Sequence, residues 1–299
     1  MRVLLAHDGS PGAAEAASLV AALAWPEGSS VRVVAVVEPP IAMLPSVPLA
    51  AAPLAAFPEI EAQIAEHLKD EVRGVVEQLR GAGIAAEGEV VPGRPGTILV
   101  DEARELGADL VVAGSRGHGS IASLVLGSVS AELVDQAPCP VLVARRPSIE
   151  RVLLASDGSP SAEHAAALVA QWPMFAGSPV RVLSVADVVR PWHTGIAPTM
   201  YRLAVEAYAR DLDAAKTEGE AIARKTVARL VEAGRAADEK VRVGDAAAEI
   251  IDEAASWGAD LIVLGSRGLT GLSRVLLGSV ARNVLQGSPS SVLVVREPA

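Results

Sequence analysis

Strand-like runs of apolar residues alternate along this chain with longer segments in which apolar positions recur at helical spacing. In the first half the runs lie at residues 2–7, 31–37, 85–91, 109–113 and 141–143, and the first is almost wholly apolar. Such a run is typical of a strand buried on both faces of a parallel sheet. The intervening segments predict helices at about 11–23, 59–79, 97–106 and 127–136. This alternation predicts an α/β fold with a mainly parallel sheet.

The same plan returns in the second half of the chain. Strands are predicted at about 151–155, 180–186, 238–243, 260–264 and 291–295, with a long helix at roughly 200–233. The sequence from Val3 to Ser10 matches that from Val152 to Ser159. A repeat of this size indicates a duplicated domain rather than a solenoid of short repeats. We therefore predict two tandem domains of similar fold, 1–147 and 148–299.

A glycine pattern occurs once in each half, directly after the fourth predicted strand. It consists of a glycine, two residues, a second glycine, nine residues and then Gly-Ser. Its positions are Gly114, Gly117, Gly127 and Ser128 in the first half, and Gly265, Gly268, Gly278 and Ser279 in the second. A strand, a glycine-rich loop and a helix N-terminus together present backbone N–H groups to a phosphate. The alternative is a structural turn with a tight helix–sheet contact.

The pattern differs from two better-known phosphate-binding loops. No Gly-Lys-Ser/Thr follows the glycines, which excludes a Walker loop, and the dinucleotide fingerprint would follow the first strand. Arg116 and Arg267 lie inside the pattern. They are candidates for pairing with phosphates, and the alternative is a pair of solvated loop arginines.

Two further residue types stand at predicted strand ends. Asp8 and Asp157 end the first strand of each half. Such an acid can accept a hydrogen bond from a ribose hydroxyl or hold the water shell of a metal, or it can cap the next helix. The backbone of Val36 and Val185, near the ends of the second strands, could pair with a base edge, although both are also ordinary strand valines. The first and fourth strands must be neighbours for these groups to meet, which a doubly wound sheet permits.

The amino-acid composition argues against several classes of function. The net charge is −10 and the aromatic content 3%, so a long nucleic acid partner is not expected. The acid excess lies almost wholly in the first 150 residues, with 19 Asp/Glu against 10 Lys/Arg. The single cysteine, Cys139, excludes an intrachain disulfide and is interpreted as a core residue. No signal peptide and no apolar run of about 18 residues is found, so no membrane partner and a cytoplasmic location are expected.

The sequence indicates no function for several other polar residues. His7, His118 and His193 have no counterparts in the other half and are interpreted as incidental. The carboxylates on the helices at 59–79 and 206–220 are interpreted as solvated faces. The apolar, proline-rich segment 39–58 is a candidate lid or interface.

These residues resemble the ATP-binding branch of the universal stress protein family. The family's signature, Gly-x2-Gly-x9-Gly-Ser/Thr, is complete in both halves, and the strand-one aspartate is present in both. The closing strand reads Pro-Val-Leu-Val in the first half and Ser-Ser-Val-Leu-Val-Val in the second. The resemblance covers the whole chain as two tandem domains.

The resemblance implies two Rossmann-like, five-stranded domains of strand order 3-2-1-4-5, each with one ATP. Adenine would lie near Ala6, Val36 and Ala113, or near Ala155, Val185 and Leu264. Ribose would approach Asp8 or Asp157. The phosphates would lie on Gly114, Arg116, Gly117, Gly127, Ser128 and Val129, or on Gly265, Arg267, Gly268, Gly278, Ser279 and Val280. Family members also pair through their last strands, so 141–144 and 292–295 are expected to form an intramolecular pseudo-dimer; further homodimerisation stays open.

Three functions compete on these observations. The favoured hypothesis is a stress-response regulator whose bound ATP shapes a surface for a protein partner, because no catalytic base or nucleophile is evident. The second is a slow ATPase in which Asp8 and Asp157 position Mg²⁺ and water. The third is a nucleotide-free interaction protein that assembles through its sheet edge.

Overall fold

The computed structural model describes residues 1–38, 57–115, 117, 126–188, 198–268 and 277–296. These residues belong to two compact units, unit 1 (Met1–Ser148) and unit 2 (Ile149–Ala299). Arg116, His118 and His193 lie outside the described residues, as does most of the segment 39–58. The phosphate contact of Arg116 and the lid at 39–58 therefore stay predictions, and so does the pairing of 141–144 with 292–295.

Strands and helices alternate in unit 1. Its elements are β1 (Arg2–Ala6), α1 (Pro11–Ala22), β2 (Ser30–Val37), α2 (Phe57–Gly81), β3 (Ala85–Pro92), α3 (Pro95–Leu106), β4 (Leu110–Gly114), α4 (Ser128–Gln136) and β5 (Val141–Ala144). All five strands are parallel and lie in the order β3-β2-β1-β4-β5.

Unit 2 repeats this architecture. Its elements are β6 (Val152–Ala155), α5 (Pro160–Gln171), a 3-10 turn (Pro173–Phe175), β7 (Val180–Ala186), α6 (Pro198–Glu232), β8 (Ala237–Val243), α7 (Ala246–Trp257), β9 (Leu261–Gly265), α8 (Ser279–Gly287) and β10 (Ser291–Val295). The strands are again parallel, in the order β8-β7-β6-β9-β10. The predicted α/β fold with strand order 3-2-1-4-5 is confirmed in both halves.

The centre of each sheet forms the core of its unit. Helices α1 and α2 pack against each other, as do α3 and α4. These are the two helix layers that a doubly wound sheet requires. Leu4, Leu5 and Leu110 on the central strands are fully buried. Each such leucine contributes roughly 1.5–3 kcal/mol through removal of apolar surface from water. Cys139 is buried, as predicted for a core residue.

The helix that follows the first strand begins in the same way in both units. The side chain of Ser10 accepts a hydrogen bond from the backbone N–H of Ala13, and Pro11 occupies the first turn of α1. Ser159 and Pro160 repeat this start for α5. A serine cap followed by proline satisfies an otherwise unpaired N–H and fixes the backbone for the first turn. This start places Asp8 and Asp157 at the sheet edge, just before the helices.

Across the described ranges, no helix combines the length and the apolar character needed to cross a membrane.

Candidate functional site

The candidate site of unit 1 is a cavity at the carboxyl ends of β1 and β4. These strands are neighbours, with Leu5 opposite Val112, so Asp8 and the glycine loop reach the same edge of the sheet. The cavity has a volume of about 430 Å³. The predicted site residues that line it are Asp8, Val36, Ala113, Gly114, Gly117, Gly127, Ser128 and Val129, together with Ala6. All predicted site residues of this unit except Arg116 are therefore brought together.

Unit 2 has the equivalent cavity at the carboxyl ends of β6 and β9. Its volume is about 610 Å³. The predicted residues that line it are Asp157, Val185, Leu264, Gly265, Arg267, Gly268, Gly278, Ser279 and Val280, together with Ala155. Here the described residues include every predicted position. A concave site at the strand ends of such a sheet is where ligands of this fold class bind.

The strand-one aspartates stabilise the following turn and also face the glycine loop. Oδ1 of Asp8 accepts the backbone N–H of Ser10 at 3.0 Å, and Oδ1 of Asp157 accepts that of Ser159 at 3.0 Å. A Cβ atom at Gly268 would lie 2.7 Å from Oδ2 of Asp157, and one at Gly117 would contact Oδ2 of Asp8. The capping role considered from the sequence is thus present, and one carboxylate oxygen is directed toward the glycine loop.

The first glycine of each pattern packs against a helix. A Cβ atom at Gly114 would lie 2.5 Å from the carbonyl carbon of Gly12 and 2.9 Å from the nitrogen of Ala13 in α1. At Gly265 it would lie 2.9 Å from the nitrogen of Ala162 in α5. Because these neighbours are backbone atoms, a side chain has no room. Tight helix–strand packing therefore explains these two glycines without reference to a ligand.

The second part of the pattern forms the N-terminus of a helix. Gly127 precedes α4 and Gly278 precedes α8, and neither position provides a side chain to cap the first N–H groups. The N–H of Gly127 donates to Ser115 O at 2.9 Å, and that of Gly278 to Ser266 O at 2.8 Å, so each loop closes on its own strand. Uncapped N–H groups and the positive end of the helix dipole give each cavity an anion-binding character.

The two glycine loops differ in how the first helix holds them. In unit 2 the hydroxyls of Ser159 and Ser161 both donate to the carbonyl oxygen of Arg267, the former at 3.2 Å. Unit 1 has Gly12 at the place of Ser161, because both residues lie two positions after the serine cap. The extra hydroxyl fixes the loop of unit 2 to α5, and unit 1 has no such group at this position.

His7, which the sequence left without a functional role, also lines the cavity of unit 1. Its side chain is 1% exposed, and its Nε2 atom lies 3.7 Å from Oε2 of Glu71 on α2. Burial lowers the pKa of His7, and the nearby carboxylates of Asp8 and Glu71 oppose this shift. No periodicity in the sequence indicates this pair, since the two residues meet only through the packing of α2 on the sheet.

The described residues of the two sites form no metal-binding cluster. Among the residues that the structure describes, no three His, Cys, Asp or Glu side chains are grouped closely enough to hold a metal ion.

Comparisons with known proteins show which family shares this sequence pattern. The family model described as the universal stress protein family matches residues 1–145 and 148–296. Universal stress protein Rv2005c of Mycobacterium tuberculosis is 32% identical over 228 residues, which cover 72% of this chain and 70% of that protein. Universal stress protein Rv2623 of the same organism is 30% identical over 244 residues, covering 77% and 76% of the two chains.

A solved structure has the same fold over the full length. The universal stress protein from Archaeoglobus fulgidus DSM 4304 aligns with a TM-score of 0.67 and 19% sequence identity, covering 99% of this chain and 98% of that one.

Proposed function

Because the chain belongs to the universal stress protein family, as both halves match its model, we propose that it is an ATP-binding regulatory protein with one nucleotide site in each unit. The observation that supports this proposal is the grouping of the glycine pattern, the strand-one aspartate and an uncapped helix N-terminus around one cavity, in both units. Two cavities of the same design are the simplest basis for binding the same class of ligand twice.

Each part of the cavity matches one part of a nucleotide. The uncapped N–H groups at Ser128 and Ser279 suit the phosphates, because they donate hydrogen bonds and carry the positive end of a helix dipole. The carboxylate oxygen Oδ2 of Asp8 or Asp157, which is directed toward the glycine loop, suits the ribose hydroxyls. Apolar residues at the strand ends suit the face of the base. Ala113 is smaller than Leu264 at the equivalent position, so the two base pockets differ in shape.

A binding role is favoured over hydrolysis by the surroundings of the aspartates. Asp8 and Asp157 each commit one oxygen to the start of a helix, and the described residues include no group of three or more His, Cys, Asp or Glu side chains that could hold a metal ion. Mg²⁺ usually binds through one or two carboxylates together with substrate phosphates. The aspartate at the end of the first strand of each unit therefore fits a magnesium ion that arrives with the nucleotide, and the ATPase stays the second candidate.

The proposal predicts that the freshly purified chain carries ATP, with one molecule per unit. Mass spectrometry of the small molecules released on denaturation, with their molar ratio to protein, is the measurement. ADP as the only nucleotide would support the ATPase. A chain that carries no nucleotide and takes up none of ATP, ADP or AMP would refute the proposal.

Ser161→Ala is expected to weaken ATP binding in unit 2, because the variant removes one of the two hydroxyls that hold the Arg267 carbonyl. Loss of one hydrogen bond of about 1 kcal/mol corresponds to roughly fivefold weaker binding. Isothermal titration calorimetry measures the effect. Ser178→Ala is the matched control, since its hydroxyl also donates to a carbonyl, that of Ile149, but Ser178 is not among the cavity residues. Equal affinities of the two variants would contradict the anchoring role.

A further inference from the structure

His7 is a buried residue of the unit 1 cavity whose imidazole finds no hydrogen-bond partner in the described part of the chain. The residue is 4% exposed, and neither Nδ1 nor Nε2 has a hydrogen-bond partner among the described residues. The 3.7 Å separation from Glu71 is too long for a hydrogen bond. Unsatisfied buried polar groups are costly and rare in native proteins, so each requires an explanation. His7 is nevertheless one of the residues that line the cavity, directly before Asp8, so a ligand bound there lies close to the buried imidazole.

Unit 2 provides a natural comparison, because it lacks both members of the His7–Glu71 pair. Ser156 stands directly before Asp157, as His7 stands before Asp8. Helices α2 and α6 can be aligned on the glycines that follow them, Gly83 and Gly234, whose φ angles are +81° and +79°. This alignment puts Ile222 at the place of Glu71, since each lies 12 residues before its glycine. Ser156 and Ile222 both line the unit 2 cavity, whereas of the His7–Glu71 pair only His7 lines the cavity of unit 1.

We propose that the buried imidazole of His7 responds to the charge of the phosphorylated ligand of unit 1 and makes binding there proton-linked, whereas unit 2 binds the same class of ligand without this linkage. The inference rests on the proposed function, since it assigns a specificity-determining residue to one of the two nucleotide sites. A ligand that occupies the cavity brings several negative charges near the buried imidazole, which can take up a proton in response. The neutral serine at this place in unit 2 cannot.

The charged groups around His7 determine whether ligand affinity in unit 1 rises or falls with pH. Among the described residues, Asp8 follows it on the chain and Glu71 faces it from α2, while α1 and β2 approach it with backbone groups of Ala13 and Val34. Burial outweighs the two carboxylates and lowers the pKa of His7, so the imidazole is neutral at neutral pH. A bound polyanion favours the charged form and raises the pKa again. Affinity in unit 1 is therefore highest below the pKa of the free chain and is lost as the pH rises through the pKa of the complex.

The test is an NMR titration of the histidine Cε1–H signals in the full-length chain between pH 5 and 8, without and with saturating ATP. The chain has five histidines, and His7→Ser, which copies unit 2, identifies the signal of His7 by its loss. His7→Gln serves the same purpose if the serine variant does not fold. We expect ATP to raise the titration midpoint of His7 by about one pH unit, which corresponds to about tenfold tighter binding of protonated unit 1.

A second measurement compares variants, because the phosphates of ATP titrate in the same range. The part of the pH dependence of ATP affinity in unit 1 that exceeds the titration of the phosphates should be lost in His7→Ser, whereas Ser156→Ala, the matched change in unit 2, should leave it in place. Binding of ATP with an unchanged His7 midpoint overturns this inference and leaves the proposed function standing. Absence of any ATP binding overturns the proposed function itself.

Discussion

Gly268→Val is expected to remove ATP from unit 2 and leave unit 1 loaded, and Gly117→Val is expected to do the reverse. A Cβ atom at Gly268 would lie 2.7 Å from Oδ2 of Asp157, and one at Gly117 would contact the same oxygen of Asp8. The added side chain must displace the carboxylate or enter the cavity beside it. Overpacking of this kind costs about 1–3 kcal/mol, which weakens binding roughly 5- to 150-fold.

Nucleotide content and calorimetry together measure this effect. Each single variant should retain one ATP per chain instead of two, and the double variant should retain none. Gly74→Val is the matched control, because a Cβ atom at Gly74 in α2 would meet no atom within 4 Å. Full retention of both nucleotides in a Gly117 or Gly268 variant would show that the space beside the aspartate is not used by the ligand.

The features that the sequence predicted are those with a local signal. A buried parallel strand needs apolar residues on both faces, so β1, β4 and their counterparts could be located from the apolar runs alone. The repeated glycine spacing and the aspartate at the strand end are equally local. These residues meet at the carboxyl ends of the strands because β1 and β4 are neighbours in the sheet. For this reason most of the predicted site lines one cavity in each unit.

The features that could not be predicted depend on contacts between distant segments. Glu71 belongs to a helix face that was predicted to be solvated, and its side chain is 42% exposed, yet its carboxylate lies near the buried His7. The bond from the Ser161 hydroxyl to the Arg267 carbonyl joins residues 106 positions apart. Neither contact follows from helical or strand periodicity. The asymmetry between the two sites therefore comes from residues outside the shared motif, and their contacts become visible only in the folded structure.

Gly114→Ala is expected to destabilise unit 1 in the absence of any nucleotide. The added Cβ atom would lie 2.5 Å from the carbonyl carbon of Gly12 and 2.6 Å from its oxygen, and backbone at the start of α1 cannot move aside as a flexible side chain can. Because α1 must move away from β4 to make room for the methyl group, the variant should lose about 2–3 kcal/mol of folding stability. Hydrogen exchange monitored by mass spectrometry should show faster exchange in peptides of α1 and β4, with α5 and β9 of unit 2 as the internal reference.

A control variant shows whether the effect of Gly114→Ala comes from helix packing or from nucleotide binding. Gly81→Ala makes the same chemical change at the end of α2, where the new Cβ atom would meet nothing within 4 Å, so stability should change by less than about 1 kcal/mol. Unchanged exchange in Gly114→Ala would mean that α1 can shift without cost and that the glycine serves only the ligand. Faster exchange without nucleotide would instead show that the first glycine of the pattern is required by the fold. The case for a phosphate site would then rest on Gly117, Gly127 and the uncapped N-terminus of α4, and on their counterparts in unit 2.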